Sequence, residues 1–204
     1  MNSSLLNKIK TYDFEGLFKK KGYAYFTKGA YNLNIIGVRT KGSTVTNLFD
    51  DYIVVIYKTK AGIETRKIYE ATTEPGIKYM IKPINESVGT AIIVPGQYRG
   101  AYKIGLHNGK YKALCQRKPI KVYRDKNKDN IYNFEPKTIQ EGIFGCNIHK
   151  AGSASKYVNN WSAGCQVIAN CLDFQNLMYL ANKQIESGNG DSFTYTLIKE
   201  EDLV

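Results

Sequence analysis

The chain has 204 residues, with 29 Lys and Arg against 18 Asp and Glu, for a formal charge of +11; hydrophobic residues make up 43% and charged residues 23%. That length suits one domain with a substantial core, and the composition is that of a globular chain, leaning to β structure through its 16 tyrosines. No apolar run is long enough to cross a bilayer, and residues 1–20 lack an apolar stretch with a cleavage site, so a protein made in the cytoplasm without a signal peptide or membrane anchor is expected.

The positive charge invites a polyanionic partner. Its lysines are scattered, with the densest run at Lys19-Lys20-Lys21, and no helix-turn-helix, zinc-finger or RNP-like aromatic pattern accompanies them, so no specific nucleic-acid partner is expected. An anionic cell-wall polymer fits such a surface, and a plain compositional bias toward lysine remains the other reading.

In chain order, residues 3–20 place Leu5, Leu6, Ile9, Tyr12, Leu17 and Phe18 at roughly helical spacing behind Ser3 or Ser4 as a cap. Residues 1–22 are therefore expected as a helical appendage to one β-rich domain over 23–204. Asn34 to Val38 reads as a buried strand. Asp51–Thr59 and Glu64–Ala71 read as a hairpin about Ala61-Gly62. Gly89–Val94 and Tyr102–His107 are short strands, and Asn108-Gly109 signals a type I′ turn between Leu106-His107 and Tyr111–Leu114. His107 reads first as a turn-adjacent histidine, with a catalytic or binding role as the alternative.

Pro119–Arg124 is another strand, followed by Asp125-Lys126-Asn127-Lys128-Asp129-Asn130-Ile131-Tyr132-Asn133. Oxygen side chains at alternate positions are what a calcium loop needs. Asp125, Asn127, Asp129 and Asn133 are thus candidate ligands of a structural Ca²⁺, although Pro136 stands where a bidentate glutamate would complete the pattern. The competing reading is an Asx-rich loop that satisfies its own backbone. Near the C-terminus, Asp173 is the expected N-cap of a helix to about Ser187 that buries Phe174, Leu177, Met178, Ala181 and Ile185. Ser192–Lys199 alternates as a closing strand. The fold expected from these elements is a mainly antiparallel β sandwich or barrel with one helix in its C-terminal half.

The chemically capable residues concentrate in Gly145–Cys171. Phe144–Ile148 reads as a buried strand that puts His149 at its end, a polar loop follows, and Trp161-Ser162-Ala163-Gly164-Cys165 leads into a second strand-like run from Gln166 to Ala169. A cysteine needs a base within reach to act as a nucleophile, and His149 is the candidate. The amides of Gly164 and Cys165 are candidate oxyanion donors. Ser162 is the expected orienting or substrate-contacting hydroxyl, Trp161 an apolar wall, and Gln166 an amide turned inward, supporting the loop or on the substrate side. Cys115, Cys146 and Cys171 sit in apolar runs without CxxC spacing and read as buried small hydrophobes.

At these residues the chain resembles the L,D-transpeptidase catalytic domain family, through His149, twelve intervening residues, and Ser162-Ala163-Gly164-Cys165. Ala163 stands where the family's motif has a second histidine. No arginine follows Cys165, so Lys150 and Lys156 are the candidate substitutes for contact with a substrate carboxylate. Upstream, the pattern from Asn34 to Asp129 is similar to uncharacterised phage and phage-derived proteins. The resemblance implies a cysteine acyl-transfer enzyme acting on peptidoglycan stem peptides, as transpeptidase or carboxypeptidase/endopeptidase, with no cofactor required. It would act at the wall after lysis or as part of a virion beside other virion proteins. The alternative is an inactive wall-binding or virion structural protein that keeps the fold.

Overall fold

The computed structural model describes residues 3–153 and 155–204. Two helices come first, α1 (Ser3–Thr11) and α2 (Phe14–Lys21). Then follow β1 (Asn34–Arg39), β2 (Asp51–Lys58), β3 (Glu64–Thr72), the short helix α3 (Ile77–Ile81), β4 (Thr90–Ile93), β5 (Gly96–His107), β6 (Tyr111–Gln116) and β7 (Ile120–Asp125). The chain continues through β8 (Gln140–Gly142), β9 (Ile148–Lys150), β10 (Gln166–Ile168), α4 (Cys171–Glu186) and β11 (Ser192–Lys199).

Eight strands close a barrel in the order β1-β11-β5-β6-β9-β10-β3-β2, while β4, β7 and β8 make a separate three-stranded sheet. The two expected hairpins form: β2 pairs β3 from Asp51↔Ala71 to Lys58↔Glu64, and β5 pairs β6 down to His107↔Tyr111. Asn108 (φ 49°) and Gly109 (φ 70°) both take positive φ. A type I′ turn requires that of its two central residues. The sheets are mainly antiparallel, as expected, but the barrel is mixed. β1 with β11, and β9 with β10, run parallel, because the last strand closes the barrel against the first and a long loop returns the chain beside β9.

Strand alternation divides the interior. Ile53, Val55 and Tyr57 of β2 enter the main core, joined by Phe174, Leu177, Leu180 and Ala181 of α4. Tyr52, Val54 and Ile56 point the other way, against Leu5, Ile9, Phe14 and Phe18 of α1 and α2. Burial on both faces explains why Asp51–Lys58 is an apolar run without polar alternation. It also means that the segment read as an appendage shares a core with the barrel.

Helix α4 starts two residues before its expected cap. The side chain of Asn170 accepts from the Leu172 and Asp173 N–H groups and so takes the N-cap role, leaving Asp173 in the first turn, where a carboxylate complements the helix dipole. The buried stripe is turned accordingly: Leu180 and Gln184 are inside, while Ile185 is 39% exposed.

One close approach ties the β4 side of the molecule to the loop before β10. The Gly76 N–H donates to the Ser162 carbonyl at 2.9 Å, and a Cβ at Gly76 would fall on the Asn159 carbonyl oxygen. Backbone cannot retreat as a side-chain tip can, so Gly76→Ala is expected to destabilise by about 1–3 kcal/mol, lowering the thermal midpoint by several degrees. An unchanged melt would show that this approach is not tight.

Candidate functional site

The parallel ladder between β9 and β10 pairs Ile148 with Gln166 and His149 with Val167, and the Gln166 N–H donates to the Asn147 carbonyl at 2.9 Å. Cys165 lies one residue before β10, so strand alternation puts its side chain on the same face as His149 and Asn147. The pair Leu114↔Ile148 brings Ala113 and Cys115 of β6 to that face, and His107↔Tyr111 places the end of β5 beside them. Over this face opens a cleft of about 520 Å³, lined among others by Cys165, His149, His107, Lys110, Phe144 and Trp161. Its size is that of a small-molecule site. His149 lies in the middle of β9, not at the end of an earlier strand: Gly145, at φ 71°, breaks the expected run from Phe144.

The imidazole is oriented by the backbone. Nδ1 of His149 lies 2.9 Å from the Lys150 carbonyl, which can only accept, so Nδ1 carries the proton. The Tyr111 hydroxyl sits 3.4 Å from the same carbonyl. Nε2 is then the acceptor, and it is buried without a hydrogen-bond partner among the described residues. Burial, with the neighbouring His107 and Lys150, lowers the His149 pKa to about 4; the Lys150 and Trp161 carbonyls pull the other way without offsetting it. At neutral pH His149 is therefore a neutral base with a free lone pair.

His107 stacks on His149, with ring centroids 4.0 Å apart at 21°. Asn147 fixes this second ring: its Oδ1 accepts the Gln116 N–H at 2.9 Å, so its Nδ2 is the group 3.0 Å from His107 Nδ1, which makes that nitrogen the acceptor. Burial and Lys110 lower the His107 pKa, so two neutral rings lie face to face. The histidine read as turn-adjacent is part of the site.

Cys165 is partly open to solvent through the cleft. No hydrogen bond joins it to His149, where one that is direct or nearly direct is expected from the motif, so the pairing is not a direct one in this state. Its thiol donates instead to the Gly145 carbonyl at 3.4 Å. Crowding by the cleft walls pushes the thiol up to about 11, against a lowering from the Asn147 backbone and with a further rise from the Cys115 thiol. The resting pair is thus thiol and imidazole, not thiolate and imidazolium.

Three of the candidate residues serve the scaffold. Ser162 is fully buried; its hydroxyl donates to the Cys165 carbonyl at 2.7 Å and accepts the Gly164 N–H at 3.2 Å, so it pins the turn and faces no substrate. That same bond occupies the Gly164 amide and removes it as an oxyanion donor. The Cys165 amide makes no hydrogen bond among the described residues and stays available. Gly164 itself is required where it stands: φ is 121°, and a Cβ would meet the Ala91 carbonyl oxygen at 2.6 Å. Gln166 turns inward, as one of its expected roles had it, but contacts no cleft. It accepts from the Tyr195 hydroxyl at 2.6 Å and donates to the Thr73 carbonyl at 3.3 Å. A residue next to Cys165 on a strand must face the other way.

Trp161 does form a wall of the cleft, its indole N–H held by Ser155 Oγ at 2.8 Å. Lys150 lies outside the cleft lining, its ammonium 5.2 Å from the Tyr111 ring centroid. Lys110 lines the cleft instead, and no carboxylate joins it there among the described residues. Sequence reasoning passed over Lys110 and Gln116. Gln116 is buried and its side chain makes four hydrogen bonds: Oε1 accepts from Phe144 and Cys146, and Nε2 donates to the Lys118 and Gly142 carbonyls. It thereby holds the irregular segment that delivers the Gly145 carbonyl to Cys165.

Of the candidate calcium ligands, none belongs to this cleft. Among the described residues no cluster of three or more His, Cys, Asp or Glu is placed to hold a metal, and no helix is long and apolar enough to cross a membrane. No family model, curated protein or solved structure matches the chain.

A thiol at about 11 has a thiolate fraction that falls about tenfold for each pH unit below that value. In a Cys171→Ser background, which silences the other partly exposed cysteine, the rate of Cys165 alkylation by iodoacetamide should climb about tenfold per unit from pH 7 toward 10. A rate already level at pH 6 would mean a preformed ion pair and overturn this assignment.

Proposed function

We propose that the protein is a cysteine acyl-transfer enzyme acting on carboxylate-bearing peptides, with peptidoglycan stem peptides as the substrate class that the resemblance to L,D-transpeptidases implies. The observation that carries the reading is the pairing within one cleft of a partly open cysteine thiol and a neutral histidine whose Nδ1 is held by a carbonyl and whose Nε2 has no partner. Support also comes from Lys110, whose ammonium at the cleft gives a substrate carboxylate its counter-charge.

In the reaction, Cys165 rotates from the Gly145 carbonyl toward His149. Nε2 takes the thiol proton as sulfur attacks the substrate carbonyl carbon, and the free Cys165 N–H meets the oxygen that gains charge. The carbonyls of Lys150 and Trp161 stabilise the imidazolium so formed. That imidazolium then protonates the leaving amine as the carbon–nitrogen bond breaks, leaving a thioester on Cys165. An amine acceptor gives transpeptidation and water gives hydrolysis, with His149 again taking the incoming proton. The proposed setting is the cell wall, reached after lysis or from a virion.

The second reading, a wall-binding or virion structural protein that keeps the fold without turnover, draws on the raised Cys165 thiol and its bond to Gly145. Intact-mass analysis after incubation with a carbapenem-type β-lactam separates the two. The enzyme reading expects one covalent adduct, lost in Cys165→Ala and formed about 10²–10⁴-fold more slowly in His149→Ala. The part of the rate that is lost in His149→Ala should hold level above pH 5 and fall as His149 takes a proton near pH 4. No adduct from the wild-type protein would favour the structural reading.

Lys110→Ala is expected to raise KM for a carboxylate-bearing stem peptide while leaving the adduct rate of a neutral acylating agent unchanged. Equal loss with both would make Lys110 a scaffold residue.

A further inference from the structure

The ladder between β5 and β11 is broken by a bulge. Phe193 pairs Tyr102 and Tyr195 pairs Tyr98, so Arg99, Gly100 and Ala101 together stand opposite Thr194. Gly100 turns the corner at φ 56°, a conformation that suits glycine, and its N–H donates to Thr194 Oγ1 at 3.0 Å. A bulge unpairs the ladder and re-aims the side chains it carries. Arg99 is exposed here, its guanidinium carbon 5.6 Å from the centre of the Phe26 ring. The Ala101 carbonyl accepts the Arg117 and Lys118 N–H groups at 2.7 and 3.3 Å, which brings Lys118 beside the bulge. A Cβ added to Gly100 would lie 3.3 Å from Ser192 Oγ and 3.4 Å from Lys118 Nζ, so the hydroxyl and the ammonium stand over the same glycine.

These groups line a cavity of about 350 Å³ that shares no residue with the Cys165 cleft. Hydrogen bonds within the fold hold its walls. The Gln184 side chain accepts the Leu33 N–H and donates to the Ser192 and Gly190 carbonyls at 3.1 and 3.4 Å, and Asn189 Nδ2 donates to the Ala30 carbonyl at 2.7 Å. No Asp or Glu lines the cavity, and the adjacent Asp191 is taken by Lys103 at 2.9 Å. Among the described residues, the Arg99 guanidinium, the Lys118 ammonium and the Ser192 hydroxyl have no hydrogen-bond or ion-pair partner. Thr194 is only 8% exposed, and its hydroxyl accepts from Gly100 while its own hydrogen goes to no acceptor among the described residues. Two cations and two hydroxyl donors thus share one cavity with no anion to receive them.

We propose that this cavity binds a phosphate group, as inorganic phosphate or as the monoester of a small polar molecule. Arg99 offers a planar fork that serves two oxygens at once, and Lys118 adds a compact charge. A phosphate has oxygens enough for the Ser192 and Thr194 hydroxyls as well, and its second negative charge offsets the second cation. A carboxylate has two oxygens and one charge, which leaves part of the donor set unused. Asn32 and Asn189 both spend their amide hydrogens on backbone carbonyls, so each keeps Oδ1 to accept from a hydroxyl of an ester. The volume is at the small end for a ligand site, as a small phosphate ester requires. Binding here needs neither Cys165 nor His149 and stands independently of the acyl-transfer reading.

The test is a set of ¹⁵N–¹H correlation spectra of labelled protein at neutral pH, titrated separately with inorganic phosphate, glycerol phosphate and acetate at an ionic strength held constant with NaCl. The expected result is saturable movement of the Gly100, Lys118 and Ser192 amide signals with both phosphates. The affinity should fall about tenfold or more in Lys118→Ala and in Arg99→Ala, as loss of a charge-assisted hydrogen bond implies, and hold in Lys67→Ala, an exposed lysine of β3 outside the cavity. Both cavity substitutions are at exposed positions, and the same spectra report whether the fold is kept. Glycerol phosphate binding more tightly than phosphate identifies an ester as the ligand, and equal or weaker binding makes phosphate itself the whole ligand; either upholds the proposal. It is overturned by an absence of saturable movement with either phosphate, by acetate binding as tightly as phosphate, by undiminished affinity in either cavity variant, or by an equal loss in Lys67→Ala.

Discussion

The site depends on the register of two three-residue strands. With Gln166 opposite Ile148, the side chains of Cys165, Asn147 and His149 share one face of the barrel wall, and a slip of one residue would send the thiol to the core side and Gln166 to the cleft. Several interactions defend this register. The Gln166 N–H reaches the Asn147 carbonyl, the Ala151 N–H reaches the Ile168 carbonyl, and the Gln166 side chain locks to Tyr195 inside the barrel. The buried Gln184 of α4, which accepts the Leu33 N–H at 3.1 Å, fastens the helix that follows β10 to the opposite wall.

That geometry governs the electrostatics. Packing two imidazoles face to face under Trp161 removes water from both, so neither is charged at neutral pH, and the same crowding keeps the Cys165 proton on sulfur. A neutral pair reacts by moving the proton as the carbon–sulfur bond forms, which couples the base to the arrival of substrate. His149 also links the site to stability. Its folded pKa lies below the unfolded value of about 6.5, so between about pH 4 and 6.5 the unfolded chain binds the extra proton and this group weakens the fold as pH falls. Asp51 and Glu74 are shifted the opposite way by burial, and over their own window they oppose that trend.

Local grammar carried much of this organisation. Asn108-Gly109 declared its turn, the apolar run at Asp51–Lys58 declared one arm of a hairpin though not its burial on both faces, and the motif holding His149 and Cys165 pointed to two residues that line one cleft without bonding to each other. What stayed hidden is long-range. Gln116 holds the segment from Gly142 to Cys146 from across the sheet, His107 reaches His149 only because β5 and β9 both flank β6, and the parallel closure of β1 on β11 joins the two ends of the chain. Lys110 emerges at the cleft because the type I′ turn projects it there. Ser162 and Gly164 were read by nearness to Cys165, and nearness along the chain does not say that they bond to each other. Gln166 was legible in principle, since the neighbour of a cleft-facing strand residue faces the core.

The most direct test of the neutral pair is the protonation state of His149, read by two-bond proton–nitrogen correlations of ¹⁵N-labelled protein across pH 3 to 8. The account predicts a neutral ring with its proton on Nδ1 at pH 7, titrating near 4. A ring that is charged at pH 6, or that carries its proton on Nε2 at pH 7, would contradict it, because Nε2 would then have no lone pair to receive the proton of Cys165.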